Sequence, residues 1–105
     1  MGLSEATIYF NFEQAKRQAN ELDALANRLS RMATSDLDGA MQIVSANWKG
    51  SNASAYLSKG NKLENEMVST ANSLHKVASD IRTIAQNIYN AEMRALAIAQ
   101  ERTYK

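Results

Sequence analysis

Apolar side chains recur at steps of three and four residues along both halves of the chain. In the first half the series runs from Phe12 to Val44, and in the second it runs from Ala53 to Ile88. Steps of this size place side chains on one face of an α-helix, whereas a half-buried strand needs strict alternation. The pattern therefore predicts two long amphipathic helices, over about residues 11–45 and 52–99.

The first helix is predicted to begin at a capping box. Asn11 is followed three places later by Gln14, and Phe10 can pack back onto the first turn. Residues 1–10 then form a flexible arm in front of a single domain, and residues 100–105 form a frayed tail behind it.

Polar residues and Gly39 interrupt the first helix near its end. Ser35 and Asp38 have the spacing of a second capping box, which favours a kink near residues 34–39. The alternative, which we favour, is one uninterrupted helix of about 35 residues, or roughly 50 Å.

Trp48, Lys49 and Gly50 lie between the two helical series. Glycine can close a helix in the left-handed conformation without a Cβ clash. Trp48 has the largest apolar surface in the chain, and at the turn it can contact both helices. A tryptophan buried in this way would cost about 3–5 kcal/mol on truncation to alanine.

Two helices of similar length joined by a short turn form an antiparallel hairpin. Alanine and glycine at several stripe positions predict a close approach of the two helices. The apolar stripe of the second helix is wider than one neighbour covers, so a lone hairpin would expose it. We therefore expect an all-α fold in which two hairpins pair into a four-helix bundle. The predicted partner face comprises Leu22, Leu29, Leu63, Met67, Leu74, Ile81 and Ile88.

The amino-acid composition supports the prediction of long helices and argues against several classes of function. The 105 residues include no proline, no cysteine and only 4 glycines, which leaves few places where a helix must end. The 12 basic and 11 acidic residues give a net charge of +1 and form no basic cluster, so nucleic-acid binding is not expected.

Catalytic and metal-binding patterns are also missing from the sequence. His75 is the only histidine, and we expect it to be a partly exposed residue on the helix surface. The carboxylates Asp36 and Asp38, or Glu64 and Glu66, are two apart and point to different sides of a helix. We predict a protein that is not an enzyme and binds neither a cofactor nor a metal.

The chain resembles the small WXG-motif proteins, also called early-secreted-antigen-like proteins, of type VII (ESX) secretion systems in Gram-positive bacteria and mycobacteria. Trp48, Lys49 and Gly50 match the motif, which stands near the middle of a chain of similar length between two proline-free helices. The resemblance covers nearly the whole chain. It implies a helical hairpin that forms a four-helix bundle dimer and is recognised by the secretion ATPase.

The family's C-terminal export signal, Tyr-x-x-x-Asp/Glu, is altered in this chain. Glu92 stands three positions after Tyr89, where the family signal needs four, and position 93 is methionine. These two residues are either a displaced export element or a helix-surface pair, and we favour the pair. A family variant binds the helical N-terminal domain of a larger toxin as a targeting partner, and this role is a second implication of the resemblance.

Our first hypothesis is accordingly a type VII secretion substrate or targeting partner, acting as a homodimer or as a heterodimer with a related helical protein or a toxin domain. It would be made in the cytoplasm and secreted without a cleavable signal peptide. The rival hypothesis is an intracellular coiled-coil adaptor unrelated to secretion. A membrane-active helix is a weaker third, because the polar faces carry both charge signs.

Overall fold

A computed structural model describes residues 4–103, and every regular element in that range is helical. Helix α1 covers Glu5–Arg31, a π-helical segment covers Met32–Leu37, α2 covers Asp38–Asn47 and α3 covers Ser51–Thr103. The prediction of an all-α fold built from two long helical segments is confirmed. Within the described range, no helix combines the length and the apolar content needed to cross a bilayer.

The helices pack in two compact units. The terminal unit comprises Met1–Leu22 with Lys76–Lys105, and the loop unit comprises Asp23–His75. In the terminal unit Phe12 contacts Tyr89, and Arg82 donates a hydrogen bond to Asn20. The residue number rises along α1 while it falls along α3, so the two helices are antiparallel there.

The loop unit has the same antiparallel arrangement. His75 is hydrogen-bonded to Asp23, and the Cα of Gly60 faces the side chain of Met41. The helical pairing of the predicted hairpin is therefore present in each unit. The pairing of two hairpins into a bundle stays a prediction.

Alanine forms most of the contact between the helices. The buried side chains of the described residues are, apart from Ile8 and Met41, all alanines. They recur every seven residues on both helices, as Ala19, Ala26 and Ala33 on one side and Ala71, Ala78 and Ala85 on the other. A methyl side chain lets two helix backbones approach closely, as the sequence predicted. We call these six residues the alanine seam.

Helix α1 begins six residues earlier than the sequence predicted. Ser4 is its cap: the Thr7 backbone N–H donates to Ser4 Oγ at 3.1 Å, and the Ile8 N–H donates to the Ser4 carbonyl at 3.0 Å. The predicted capping box at Asn11 is wrong because these residues lie inside the helix. The arm predicted for residues 1–10 is corrected over Glu5–Phe10, which is helical; residues 1–3 lie outside the described range.

The other boundaries differ less. Helix α2 ends at Asn47 and α3 begins at Ser51, close to the predicted positions. At its far end α3 continues to Thr103, so residues 100–103 belong to the helix, because nothing in their sequence stops it. The last two residues of the predicted tail, 104 and 105, lie outside the described range.

The π-helical segment replaces both the uninterrupted helix that we favoured and the capped kink. Ala26 and Ala33 are seven residues apart, but the next buried side chain, Met41, comes after eight. A wider π turn accommodates one additional residue without breaking the helix. Thr34 Oγ1 donates to the Ser30 carbonyl at 2.9 Å within the same stretch. The extra residue keeps the apolar side of α2 facing α3.

Candidate partner-binding surface

The predicted turn lies between α2 and α3. Trp48 has an extended backbone and its N–H donates to the Val44 carbonyl at 2.8 Å, which closes α2. Gly50 has φ +96°, a conformation that side chains with a Cβ rarely adopt. Its carbonyl accepts the Ser54 N–H at 3.1 Å in the first turn of α3. Glycine is thus required at this position by the backbone itself.

Trp48 is not buried, contrary to our expectation. It is 56% exposed, and its ring centroid lies 6.1 Å from that of Tyr56, itself 48% exposed. The buried residues nearest to the turn in sequence are Met41 and Ala53, so the core beside the turn is filled without the indole ring. Trp48 and Tyr56 therefore form an aromatic pair on the surface of the loop unit.

We expect Trp48→Ala to lower the free energy of unfolding by about 1 kcal/mol, since only part of the indole surface is removed from water. Urea unfolding followed by circular dichroism measures the loss. As a control, the single tryptophan of the wild type should be accessible to an iodide quencher. A loss of about 3–5 kcal/mol, the range for a buried ring, would contradict the exposed placement.

The seven residues of the predicted partner face lie beside the seam. Leu22, Leu29, Met67, Leu74 and Ile81 are half-buried, whereas Leu63 and Ile88 are 48% and 52% exposed. With the alanine seam at heptad position e, most of the face occupies position a. Their role in binding stays a prediction.

A second row of exposed apolar residues is present, and the sequence reasoning placed only Leu63 of this row in the partner face. On α3 it comprises Tyr56, Leu63, Val77, Ile84 and Ile98, which are spaced by multiples of seven and are 46–57% exposed. We call this row, at heptad position d, the outer stripe. Leu25 on α1 and Met32 at the start of the π-helical segment hold the same position and are each 47% exposed. The seven-residue spacing was the signal in the sequence that could have found it.

The side of the seam opposite positions a and d is polar. His75 and Asp23 both occupy heptad position b, and His75 Nδ1 lies 2.7 Å from Asp23 Oδ1. Lys16, at the same position of α1, lies 3.3 Å from Glu13 and 5.0 Å from the Phe12 ring centroid. His75 is partly exposed as predicted, but it joins the two helices of the loop unit, a contact that the sequence did not reveal.

Tyr89 and Glu92, the predicted export element, lie in the terminal unit. The Tyr89 ring packs against Phe12 with centroids 4.8 Å apart. Both residues line a cavity of about 180 Å³ with Ile8 and Ile88. This packing gives Tyr89 a structural role in the terminal unit, while the export element and the helix-surface pair with Glu92 both stay predictions.

A cavity of about 220 Å³ opens beside the π-helical segment. Its lining comprises Leu37, Tyr56, Lys59, Gly60 and Leu63. Gly60 leaves room for Met41, because a Cβ at position 60 would lie within 3.0 Å of Met41 Cγ. The cavity continues the apolar outer stripe, and its charged lining residue is Lys59.

Comparison of the chain with protein-family models, curated proteins and solved structures found no match. In residues 4–103 no three potential metal-ligating side chains come together. The arrangement of the described residues therefore offers one feature for a functional argument, the exposed apolar strip at positions a and d.

Proposed function

We propose that this protein is a non-enzymatic helix-pairing module whose outer stripe binds the helices of a partner protein. The observation that carries the proposal is the exposure of large aliphatic side chains in one row of α3. Leu63 is 48%, Val77 46% and Ile84 57% exposed. Scattered apolar residues are ordinary on a surface, but a row with helical spacing is typical of a face that another helix covers.

Burial of this row supplies a driving force for association. Each half-exposed aliphatic side chain gains on the order of 1 kcal/mol when its remaining surface leaves water. Several such residues in one register are enough to favour pairing over a solitary chain. In the loop unit the polar contact of His75 with Asp23 lies at another heptad position than this row, and so does that of Arg82 with Asn20 in the terminal unit.

A second hairpin is the simplest partner with matching properties. Two helices from each chain would enclose positions a and d in a four-helix bundle. The second chain is either another copy, a related helical protein or the helical N-terminal domain of a toxin. We propose this bundle as the working form of the protein.

We further propose a role in type VII secretion, as a substrate or a targeting partner. The support is the resemblance of Trp48, Lys49 and Gly50, in the turn between two long helices, to the WXG motif. Trp48, which is 56% exposed beside Tyr56, is the candidate contact for the secretion ATPase. The protein would leave the cytoplasm through this system, with Tyr89 and Glu92 as candidate export residues.

Replacement of the outer stripe tests the pairing. We expect the double variant Val77→Ser, Ile84→Ser to remain helical but to lose association in sedimentation velocity at micromolar concentration, because it loses apolar surface without disturbing the alanine seam. The matched control, Asn72→Ser with Gln86→Ser, changes two exposed residues on another side of the same helix and should sediment like the wild type. Equal association of both double variants would argue against the proposal.

Secretion is tested separately in the native host. Culture supernatants of strains with and without the secretion ATPase should differ in their content of this protein, and a Trp48→Ala strain should resemble the strain without the ATPase. Equal amounts in the cells and none in any supernatant would favour the intracellular adaptor instead.

A further inference from the structure

The outer stripe of α3 is bordered by charged residues in a particular order. Heptad position g, next to the stripe, carries Lys59, Glu66, Asp80, Arg94 and Glu101. In antiparallel helix pairs this position of one helix faces the same position of the other, so its charges select partner and register. In an antiparallel pair of two α3 helices, these five charges therefore face the same five charges of the other copy in reverse order.

A second copy of α3 fits when the two helices are antiparallel and centred on Asp80. Lys59 of one copy then faces Glu101 of the other, and Glu66 faces Arg94. Each opposite-charge pair occurs twice, because the two copies are related by a twofold axis.

Shifted registers are less favourable. Centring the pair on Ser73 would place Glu66 against Asp80, and the register midway between Ser73 and Asp80 would place Lys59 against Arg94. Both contacts are between like charges. Centring on Asn87 gives one kind of opposite-charge pair over a shorter overlap. Charge complementarity thus favours the register centred on Asp80.

The apolar residues agree with the same register. Val77 of one copy faces Ile84 of the other, and Leu63 faces Ile98, so large side chains meet large ones. These four residues are among the most exposed apolar residues of α3. An independent set of side chains therefore supports the register that the charges select.

The unfavourable contact in this register is Asp80 against its own copy. Lys76 Nζ lies 3.3 Å from Asp80 Oδ2 within each helix, which offsets part of the repulsion. Because both groups are well exposed, with 79% and 58% of their side-chain surface accessible, the repulsion is also screened by solvent.

We propose that the occupant of the outer stripe is the outer stripe of a second copy of this chain, antiparallel and centred on Asp80. This inference rests on the proposed function and makes it specific, since it names the partner and the residues in contact.

Single cysteines test the register, since the chain has none of its own. We expect Asp80→Cys to form a covalent dimer with a short bismaleimide linker at least tenfold faster than three reference variants. Two of them, Ser73→Cys and Asn87→Cys, occupy the same heptad position as Asp80. In each of these variants the cysteines of the two copies would lie about 21 Å apart along the helix axis. The third, Ser79→Cys, is an exposed neighbour on another side of α3.

Faster linking at position 73 or 87 than at position 80 would overturn the register. Equal rates at positions 79 and 80 would overturn the use of this stripe. A wild-type chain that sediments as a monomer at every concentration would overturn the choice of a second copy. If the wild type associates and Val77→Ser, Ile84→Ser lowers that association while the linking rates contradict the register, the register fails and the proposed function stands. If the wild type associates and the double variant associates equally well, both fail.

Exchanged charges provide a second readout. Glu66→Arg alone and Arg94→Glu alone should each raise the dissociation constant by about three- to tenfold, because two attractive pairs become repulsive. An equimolar mixture of the two variants should restore wild-type association, since each heterodimer regains opposite charges in both pairs. A mixture no tighter than the single variants would refute the pairing of these residues.

Discussion

Ala26→Leu should lower the free energy of unfolding by about 3 kcal/mol, the upper part of the range for overpacked cores. Ala26 is 0% exposed and belongs to the alanine seam in the loop unit. A leucine there needs space that closely approaching helices do not have, so α1 and α3 must move apart. Urea unfolding monitored by circular dichroism measures the change.

The matched control is Ala24→Leu, two residues away in the same helix. Ala24 is exposed, so the same enlargement should change stability by no more than about 0.5 kcal/mol. If the two leucine variants were equally stable, the seam would not be a close contact between helices.

Ile8→Ala should also destabilise the protein by about 3 kcal/mol, as is usual for truncation of a buried isoleucine. Ile8 is 1% exposed and is the largest side chain so deeply buried among the described residues. The variant tests directly whether the segment before Asn11 belongs to the folded domain. Thermal and urea unfolding should both register the loss.

Phe10→Ala is the corresponding control. It removes a larger side chain, but Phe10 is 57% exposed, so its loss should cost less than half as much as that of Ile8. A neutral Ile8→Ala variant would instead restore the interpretation of residues 1–10 as a flexible arm.

The spacing of apolar residues was sufficient to predict the helical segments and their close approach. It was not sufficient to predict where α1 begins, because two capping signals compete. Ser4 and Asn11 are both suitable caps, and the burial of Ile8 decides between them. Ile8, Ala15, Leu22 and Leu29 share one heptad position, which is the part of the pattern that the prediction overlooked.

The π-helical segment was also beyond the prediction, for a related reason. Continuing the heptad from Leu22 and Leu29 leads to Asp36, whereas the apolar residue is Leu37. The misplacement by one residue is visible in the sequence. Whether the chain accommodates it by a kink, a cap or a wider turn depends on packing against α3, which the sequence does not show.

The exposed apolar residues were predicted in part. The wide apolar stripe of the second helix predicted more than one neighbouring helix, which stays a prediction, and most residues of the predicted partner face lie beside the exposed row. Three columns of apolar residues lie side by side on this helix, however, and only contacts reveal which one faces α1. Alanine at positions 71, 78 and 85 occupies that column, which leaves Val77 and Ile84 facing solvent.

The smallness of the seam side chains has a mechanical consequence. Methyl groups do not interlock as leucines do, so by themselves they resist axial sliding of one helix along the other only weakly. Larger side chains oppose this sliding. They include the Phe12 and Tyr89 rings in the terminal unit and the hydrogen-bonded pair of His75 and Asp23 in the loop unit. Removal of both would leave Ile8 and Met41 as the large buried side chains of the described residues that still oppose a shift of one helix along the other.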